Sequence, residues 1–506
     1  MSDDPESLAK FRQLLETTTL RPDASSATSL TDTLVGAQDG ALLRRCAVPH
    51  EFNSALLQRL GGLDAAQAEA RYEQFAELSL IQINDDSLTV HERWRQLIWS
   101  WWLADAQRAD FVALSRLLAD WFAAMPASTT GEDPAARQHM FHLIGCDAEA
   151  GLQLFVEQFR AARHRRRFSE CALLLRLVQE YDTLWQPRQR ALITYQQGKL
   201  ASDLRQWEQA LPLLRTVAAD RNTEPHLRIH ALVRAAHALR QTGRTHDALG
   251  TMETERDRAR NDPVAARSMW RILHELGEIY RDLGRADDAA ETLADALAGT
   301  AIDAPGADVP GVLNSLGTVQ LKLRDTEAAV ASFTRCLELL KLGGDGMRSG
   351  GVLNNLALAQ LERCDWQAAE TSLKASLDSK RLAGDLPGLA TAWLNLHRTQ
   401  LAQGRLDDAR SSAESAAAAF ETVTDARGRA RARLAIGKLR RRAGELAQAA
   451  ALLEAVAAEA RAAGDEATAE AAAAELALSV PKRGMPAWGW ALVVIAALVA
   501  IGAALS

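Results

Sequence analysis

Residues 273–297 read LHELGEIYRDLGRADDAAETLADAL. Apolar residues recur at intervals of three and four on both sides of the polar stretch LGRADD, which is the pattern of two amphipathic helices joined by a turn. The segment therefore predicts a helix hairpin with one apolar side. The apolar positions are Leu273, Leu276, Tyr280 and Leu283 in the first helix, and Ala289, Ala290, Leu293, Ala296 and Leu297 in the second.

The same hairpin pattern recurs along most of the chain. A set of alanines follows steps of 38, 38, 41, 40, 40, 40 and 40 residues, and a mostly small residue stands twelve positions before seven of them. Small residues at a fixed register predict a close approach of two helices in each unit, so an array of stacked hairpins is expected. The alanines are Ala172, Ala210, Ala248, Ala289, Ala329, Ala369, Ala409 and Ala449, and the preceding residues are Gly198, Ala236, Gly277, Gly317, Ala357, His397 and Gly437.

A second recurrence with a forty-residue step predicts the turns between units. Glycine ends a helix readily, and aspartate suits a turn or the next helix cap. The recurring residues are Asp345, Asp385, Asp425 and Asp465, and a glycine precedes three of them.

The unit at 273–297 closely resembles the tetratricopeptide repeat, through Leu276-Gly277, Tyr280, Gly284, Ala289, Leu293 and Ala296. The resemblance covers about residues 150–478. It implies a mainly α fold with a right-handed solenoid of about eight hairpins over 126–478, whose first helices line a concave face. Residues 354–360, NNLALAQ, are similar to the Asn-rich first helices of kinesin-light-chain repeats. Arg160 and His397 depart from the family's small residue at their positions.

Residues 41–100 contain three helical stretches, a short alternation at 80–83, an Asn-Asp-Asp turn and a return strand at 88–90. This order resembles the winged-helix module of STAND-type signalling ATPases, with Val90-His91-Glu92-Arg93 at the place of that family's strand, His-acidic pair and Arg. We therefore expect a winged-helix-like domain with connecting helices over 41–125, after a helical or flexible segment at 1–40. The family's phosphate-binding loop, GxxxxGK[ST], occurs nowhere in the sequence. His91 is accordingly expected to cap a helix or enter the core, not to contact a nucleotide.

Charge argues against nucleic-acid binding by this region. Residues 41–100 carry six arginines, no lysine and eight acidic residues, whereas a DNA-binding module needs a basic face. The whole chain of 506 residues has a formal net charge of −7. Five tryptophans are expected to pack between this region and the repeats instead of stacking on a ligand. They are Trp94, Trp99, Trp101, Trp102 and Trp121.

Residues 487–505 contain no charged residue and consist mostly of Ala, Val, Leu and Ile. As a helix this stretch would span about 28 Å, close to the hydrocarbon thickness of a bilayer. A C-terminal transmembrane helix is therefore expected after a juxtamembrane linker at 479–486, with a buried apolar helix as the alternative. Lys482, Arg483 and an Ala-, Arg- and Trp-rich composition predict a single-pass protein of a bacterial inner membrane with its N-terminal bulk in the cytoplasm.

The sequence carries no strong signature of catalysis. GxSxG, HExxH and paired-carboxylate motifs do not occur, so neither enzyme activity nor a cofactor is expected. His139, His142 and Cys146 would share one helix face and could bind a soft divalent metal, but a fourth ligand is not evident. Semi-buried histidines are the simpler interpretation, and no metal is expected. The five cysteines form no CxxC pair, which is typical of proteins in reducing compartments.

Two segments concentrate basic residues. Residues 163–167 read RHRRR in the turn of the first repeat, and residues 427–442 hold eight Lys or Arg and no acidic residue. The segment 445–475 that follows holds seven acidic residues and one Arg. Either neighbouring helices of opposite charge neutralise each other, or the basic helix lies against anionic lipid headgroups.

These observations predict a membrane-tethered scaffold, without catalysis, whose groove binds a protein or peptide partner and no nucleic acid. The alternative is the sensor or regulatory subunit of a STAND-like nucleotide-driven signalling switch whose ATPase is a separate chain. Asparagine side chains can hold an extended peptide by its backbone amides, and flanking charges add selectivity. The repeat register assigns to the groove Gln196, Lys199, Arg234, Glu275, Glu278, Asn314, Asn354, Asn355, Asn395, Arg398 and Lys438.

Overall fold

The computed structural model describes residues 24–126, 133–220, 222–300 and 308–479. The chain divides into two compact units, Met1–Ala231 and Leu232–Ser506. Regular structure in the described residues is almost entirely α-helical, with one two-stranded sheet in the first unit. The mainly α character predicted from the hairpin periodicity is confirmed.

The β-hairpin of the first unit lies where the sequence predicts it, to within one residue. β1 (Ile81–Asn84) pairs antiparallel with β2 (Ser87–Val90). Phe52 and Leu88 exchange two backbone hydrogen bonds of 2.9 and 2.8 Å, which places a third extended segment beside β2. The described helices of this unit are α1 (Ala24–Val35), α2 (Ala37–Cys46), α3 (Ser54–Gly61), α4 (Ala65–Ala76), α5 (Glu92–Trp102), α6 (Arg108–Ala123), α7 (Pro134–Cys146), α8 (Ala148–His164), α9 (Phe168–Gln179), α10 (Pro187–Asp203) and α11 (Trp207–Ala219).

Aromatic side chains form the core of the first unit. The rings of Trp99, Phe111, Phe141 and Tyr181 pack together, with the Trp99 centroid between 5.2 and 5.5 Å from the other three. One continuous core runs from Ala27 to Leu200. Trp99 and Trp102 are buried in it and the other three predicted tryptophans line its edge, so the packing role predicted for this cluster is confirmed. The predicted domain boundary at residue 125 stays a prediction.

Paired helices make up the second unit. Each first helix packs against the second helix of its own hairpin and against the hairpin that follows. Helix α12 (Pro225–Gln241) has residues in both units. The other described helices are α13 (Thr245–Arg260), α14 (Pro263–Ala266), α15 (Met269–Asp282), α16 (Ala286–Ala298), α17 (Val309–Lys322), α18 (Thr326–Leu342), α19 (Ser349–Glu362), α20 (Trp366–Leu382), α21 (Leu386–Ala402), α22 (Leu406–Thr422), α23 (Ala426–Arg442), α24 (Leu446–Ala462) and α25 (Glu466–Ser479).

The small residues of the register lie where the two helices of a hairpin come closest. A Cβ atom on Gly277 would lie 2.5 Å from Cγ of Leu293, and one on Gly317 would lie 2.7 Å from Cε1 of Phe333. A side chain at either position would therefore require the facing side chain or the helix itself to shift. The recurring alanines of the second helices, from Ala248 to Ala449, have no exposed surface at all.

His397 keeps this close approach although it is not small. It lies 4% exposed, and its Nδ1 donates a hydrogen bond of 2.8 Å to the carbonyl oxygen of Ala409. The residue sixteen positions later, which is Leu293 or Phe333 in other hairpins, is here Ala413. A large residue on one helix is therefore matched by a small one on the other. Arg160, the other departure, is exposed, so the first hairpin does not use this position for close packing.

The predicted turns between units are confirmed in their geometry. Gly344, Gly384 and Gly464 adopt left-handed φ angles of 68°, 65° and 67°, which glycine adopts without steric cost. The aspartates that follow Gly384 and Gly464 accept hydrogen bonds from backbone amides three residues later, as helix N-caps do. The turns at Gly384 and Gly464 therefore both end one hairpin and cap the first helix of the next.

The predicted C-terminal transmembrane helix requires a correction. Within the described ranges, none of the helices combines the length and the apolar composition that a bilayer crossing needs. Helices such as α21 and α23 have 17 residues and carry charges, whereas a span takes about 20 mostly apolar ones. The predicted span at 487–505 lies outside the described residues. The prediction of a transmembrane helix is therefore not supported, and the predicted single-pass localisation in an inner membrane, which depends on that helix, is corrected with it.

Candidate partner-binding surface

Polar side chains bridge consecutive first helices in the second unit. At three interfaces a side chain hydrogen-bonds to one 41 positions further along, which is one repeat plus one residue. These bridges fix the spacing of neighbouring first helices. They join His274 to Ser315 over 3.0 Å, Asn314 to Asn355 over 3.1 Å and Asn354 to Asn395 over 2.9 Å.

The four asparagines predicted to bind a partner differ in burial. Asn354 and Asn395 are 9% and 7% exposed, so their amides lie within the helix interface. Asn314 and Asn355 are half-buried. The bridge between them uses Oδ1 of Asn314 and Nδ2 of Asn355. The other polar atoms of these two amides, one donor and one acceptor, therefore remain for a bound chain.

A groove of about 250 Å³ lies between α21 and α23. The residues that occupy the bridge positions at this interface are Leu394 and Ala435, which cannot hydrogen-bond through their side chains. An apolar floor therefore replaces the polar bridge. The groove is lined by Leu394, His397, Arg398, Leu401, Arg431, Leu434, Ala435, Lys438, Leu439 and Arg442. Two predicted residues, Arg398 and Lys438, thus lie together in one groove.

Most cations of α23 are paired with acidic residues of the next elements. This arrangement favours mutual neutralisation of neighbouring helices over a helix held against lipid headgroups. The pairs are Arg429 and Arg433 with Glu459, Arg431 with Asp465 over 2.9 Å, Arg440 with Glu445 over 3.8 Å, and Arg441 with Glu475 over 2.7 Å.

Glu275 and Glu278, two further predicted residues, belong to an ion cluster around Arg240. The guanidinium of Arg240 lies 2.8 Å from Glu275, 3.2 Å from Glu278 and 2.8 Å from Asp282, and its side chain is 3% exposed. Burial raises the pKa of Glu275 to about 7, although the charge of Arg240 opposes this shift. These carboxylates hold α12 against α15, which is a structural task.

The remaining predicted residues lie apart from these groups. Gln196 is 4% exposed, and Lys199 Nζ lies 5.8 Å from the centre of the Tyr195 ring; both belong to the first unit. Arg234 is half-buried on α12. The structure therefore brings together the Asn314–Asn355 pair and the Arg398–Lys438 pair, each on adjacent first helices. The partner-binding role of all these residues remains a prediction.

Sequence reasoning missed Arg442 and the leucines of the groove floor. Arg442 follows Lys438 by four residues, so the two share a helix face. The relevant signal was the excess of eight cations in 427–442, read against the positions of the acidic residues that follow. Only the structure shows which cations those acidic residues reach.

The histidines of the first unit have no arrangement suited to a metal. His142 is fully buried and stacks on Phe122 with ring centroids 5.5 Å apart. Burial lowers its pKa well below the usual value, so the ring is neutral. Among the described residues, no group of three His, Cys, Asp or Glu side chains could hold a metal ion. His91 occupies the N-cap position of α5 and is exposed, without a capping hydrogen bond from its side chain.

The stacked helix pairs define a class of protein, the α-helical repeat scaffolds that mediate protein–protein interaction and are generally not enzymes. A family model described as tetratricopeptide repeat matches residues 310–339, which cover most of α17 and α18. The resemblance of the hairpins to the tetratricopeptide repeat is thus confirmed by the family model for this part of the second unit. No curated protein sequence matches it.

Several solved structures align with this chain at low sequence identity. A STAND protein with a tetratricopeptide repeat sensor from Pyrococcus horikoshii is 12% identical, with 88% of this chain and 67% of that chain covered at a TM-score of 0.51. The Cut9–Hcn1 hetero-tetramer of the APC/C is 13% identical, with 94% and 93% covered at 0.47. A tetratricopeptide repeat protein from Parabacteroides merdae is 15% identical, with 56% and 99% covered at 0.37. At these identities the likeness concerns the fold alone.

Proposed function

We propose that the chain is a non-enzymatic interaction scaffold that binds an extended segment of a partner protein on its first-helix surface. This surface is defined by α17, α19, α21 and α23, which are neighbours in the second unit. Neither a cofactor nor a nucleic acid is required for this role.

The pair Asn314–Asn355 is the observation that carries the proposal. Its amides are half-buried, held in place by their mutual hydrogen bond, and each keeps one polar atom for an outside partner. A donor and an acceptor side by side match the carbonyl and N–H groups of an extended backbone. Because the bridge fixes both side chains before binding, little side-chain entropy is lost when a partner docks.

Site-specific photo-crosslinking in cells tests this proposal. Position 358 on α19 is equivalent, by the forty-residue repeat, to Arg398 on α21 and Lys438 on α23. A photoreactive residue at position 358 should therefore crosslink a partner. The same residue at position 338 on α18 should not, because Glu338 is exposed on a second helix. Replacing Asn314 and Asn355 together by Ala should reduce the crosslink at least fivefold. Equal crosslinking from both positions, unaffected by the double substitution, would contradict the proposal.

A second candidate is the sensor or regulatory subunit of a STAND-like switch whose ATPase is another chain. The observation that favours it is the fold likeness to the STAND protein over 88% of this chain. The sequence itself contains no phosphate-binding loop. Affinity purification of the full chain distinguishes the candidates. An ATPase that crosslinks to residues 41–125 supports the switch, whereas partners that crosslink only to the first-helix surface support the scaffold alone.

A further inference from the structure

Three cations in the second unit stand out because the acidic residues around them pair elsewhere. We call Arg398, Lys438 and Arg442 the groove cations. In the described part of the chain no ion pair forms at any of them, whereas five other cations of α23 contact carboxylates. Arg398 and Arg442 are exposed and Lys438 is half-buried. The charges of the groove cations are therefore not neutralised by any carboxylate in the described part of the chain.

The groove cations also act together on one buried group. His397 lies in the groove wall between them. Burial lowers its pKa, the hydrogen bond to the Ala409 carbonyl opposes this, and the groove cations lower the pKa further. Three positive charges thus act on one site with no acidic residue among the groove-lining side chains.

Apolar residues cover the floor beneath these charges. The bridge that joins first helices elsewhere in this unit is replaced by Leu394 and Ala435, and Leu401, Leu434 and Leu439 extend the apolar surface. At the other interfaces a hydrogen bond occupies this place. The α21–α23 interface therefore differs from its neighbours in two ways that both favour a ligand. No polar bridge closes the groove, and the groove cations have no carboxylate partner in the described part of the chain.

We propose that the groove between α21 and α23 binds an acidic segment of a partner protein in which leucine-like side chains alternate with Asp or Glu. Carboxylates of the segment pair with the groove cations, and its apolar side chains fill the floor. This inference rests on the proposed scaffold function and names the chemistry of its ligand. Charge complementarity between the groove and the segment is the argument for this occupant.

A nucleic acid fits the groove less well than a peptide. Three open cations neutralise few phosphates, whereas a nucleic-acid site uses many along a continuous basic track. The groove is lined by leucines and one buried histidine, His397, with no Phe, Tyr or Trp on which a base could stack. An acidic peptide with apolar side chains uses both the charges and the floor.

Fluorescence anisotropy with the full chain tests the proposal. The probe is a fluorescein-labelled peptide, Gly-Ser-Asp-Leu-Glu-Leu-Asp-Glu-Leu-Ser-Gly. We expect it to bind at least tenfold more tightly than the same peptide with Asn and Gln for its acids, or with Ser for its leucines. The Arg398→Gln/Lys438→Gln/Arg442→Gln variant should lose at least tenfold in affinity, and binding should weaken as NaCl rises from 50 to 300 mM because ion pairs are screened.

A matched control removes the same charge from another surface of the same unit. Arg335→Gln/Lys341→Gln/Arg381→Gln changes three exposed cations on α18 and α20 and should leave the affinity within twofold. If the groove variant loses helical circular dichroism, the single changes Arg398→Gln and Arg442→Gln carry the test, because both side chains are exposed. Each of them should then weaken binding at least twofold.

Other outcomes would overturn the proposal. Equal affinity for the acidic and the amide peptides, or equal loss in the groove and control variants, would refute an acidic ligand. Tighter binding of a twelve-nucleotide DNA strand that depends on the groove cations would assign the groove to nucleic acid instead. If position 358 still crosslinks a partner while the groove variant binds every probe normally, this inference fails and the scaffold stands. If that crosslink is also absent, the scaffold itself fails.

Discussion

The two units of the chain build their interiors from different side chains. In the first unit, Trp99, Phe111, Phe141 and Tyr181 meet in one core that runs without interruption from Ala27 to Leu200. In the second unit, the buried residues fall into several smaller clusters, each centred on one or two hairpins. Alanine, leucine and valine make up most of these clusters, with Phe333 and Phe420 as their only aromatic members among the described buried residues. The helices of the first unit therefore pack around one common core, whereas the second unit contains a series of small cores along the array.

This difference predicts how each unit fails. A continuous core couples its elements, so damage at one point is felt across the whole unit. In a repeat array, stability is the sum of local terms and nearest-neighbour interfaces, so damage stays near its origin. Substitutions of buried residues in each unit test whether damage spreads through the first unit and stays local in the second.

The largest effect is expected from Phe141→Ala in the first unit. Phe141 is fully buried and contacts Trp99, Tyr181 and His142. Loss of this ring should cost about 4 kcal/mol and leave a cavity at the centre of the core. Hydrogen exchange should then show reduced protection from α2 to α10, with α19 to α24 unchanged. Loss of protection confined to α7 would show that the first unit is not one cooperative body.

A smaller and more local effect is expected from Gly317→Val in the second unit. A side chain at this position meets the ring of Phe333, so overpacking should cost about 2 kcal/mol. Protection should fall in α17 and α18 and persist in α23 and α24. The pair His397 and Ala413 indicates how the array accommodates a large residue. Adding Phe333→Ala should therefore give a double variant at least 1 kcal/mol more stable than the sum of the single effects. Strict additivity would remove the close-packing explanation.

The same comparison shows what the sequence can predict. The forty-residue register located the hairpins, the close-packed positions and the turns because each depends on residue type alone. A small residue marks a close approach of two helices, and an aspartate after a residue with a left-handed φ angle marks a turn. The β-hairpin was predictable from the alternation at 80–83. These features are local, and local physics is visible in a sequence.

Contacts across the repeat were not predictable in the same way. Asn354 and Asn395 were expected on an open groove, but they hydrogen-bond to each other and are buried. Glu275 was likewise expected to face a partner, and it contacts Arg240. An asparagine at a groove position can face solvent or reach the next helix, and the choice depends on helix spacing, which the sequence does not contain. For the same reason the sequence could not separate the groove cations from the paired ones.

The two units also treat buried polar groups differently, and pH offers the smallest of the expected effects. The buried amides of Asn354 and Asn395 hydrogen-bond to each other, whereas neither ring nitrogen of the buried His142 has a hydrogen-bond partner among the described residues. Burial holds the pKa of His142 well below its usual value, so the native state does not bind the proton that the unfolded chain binds near pH 6.5. The contribution of His142 to the stability of the first unit should accordingly be fully present above about pH 6.5 and decrease as the pH falls, with a slope of up to about 1.4 kcal/mol per pH unit.

His142→Leu should abolish this contribution, measured by urea unfolding and by hydrogen exchange in α7 at pH 7 and pH 5. His139→Leu on the same helix keeps His142 and should retain the slope. If His142→Leu leaves the slope unchanged, another group causes it, and the contrast between the unpartnered histidine and the paired asparagines has no consequence for stability.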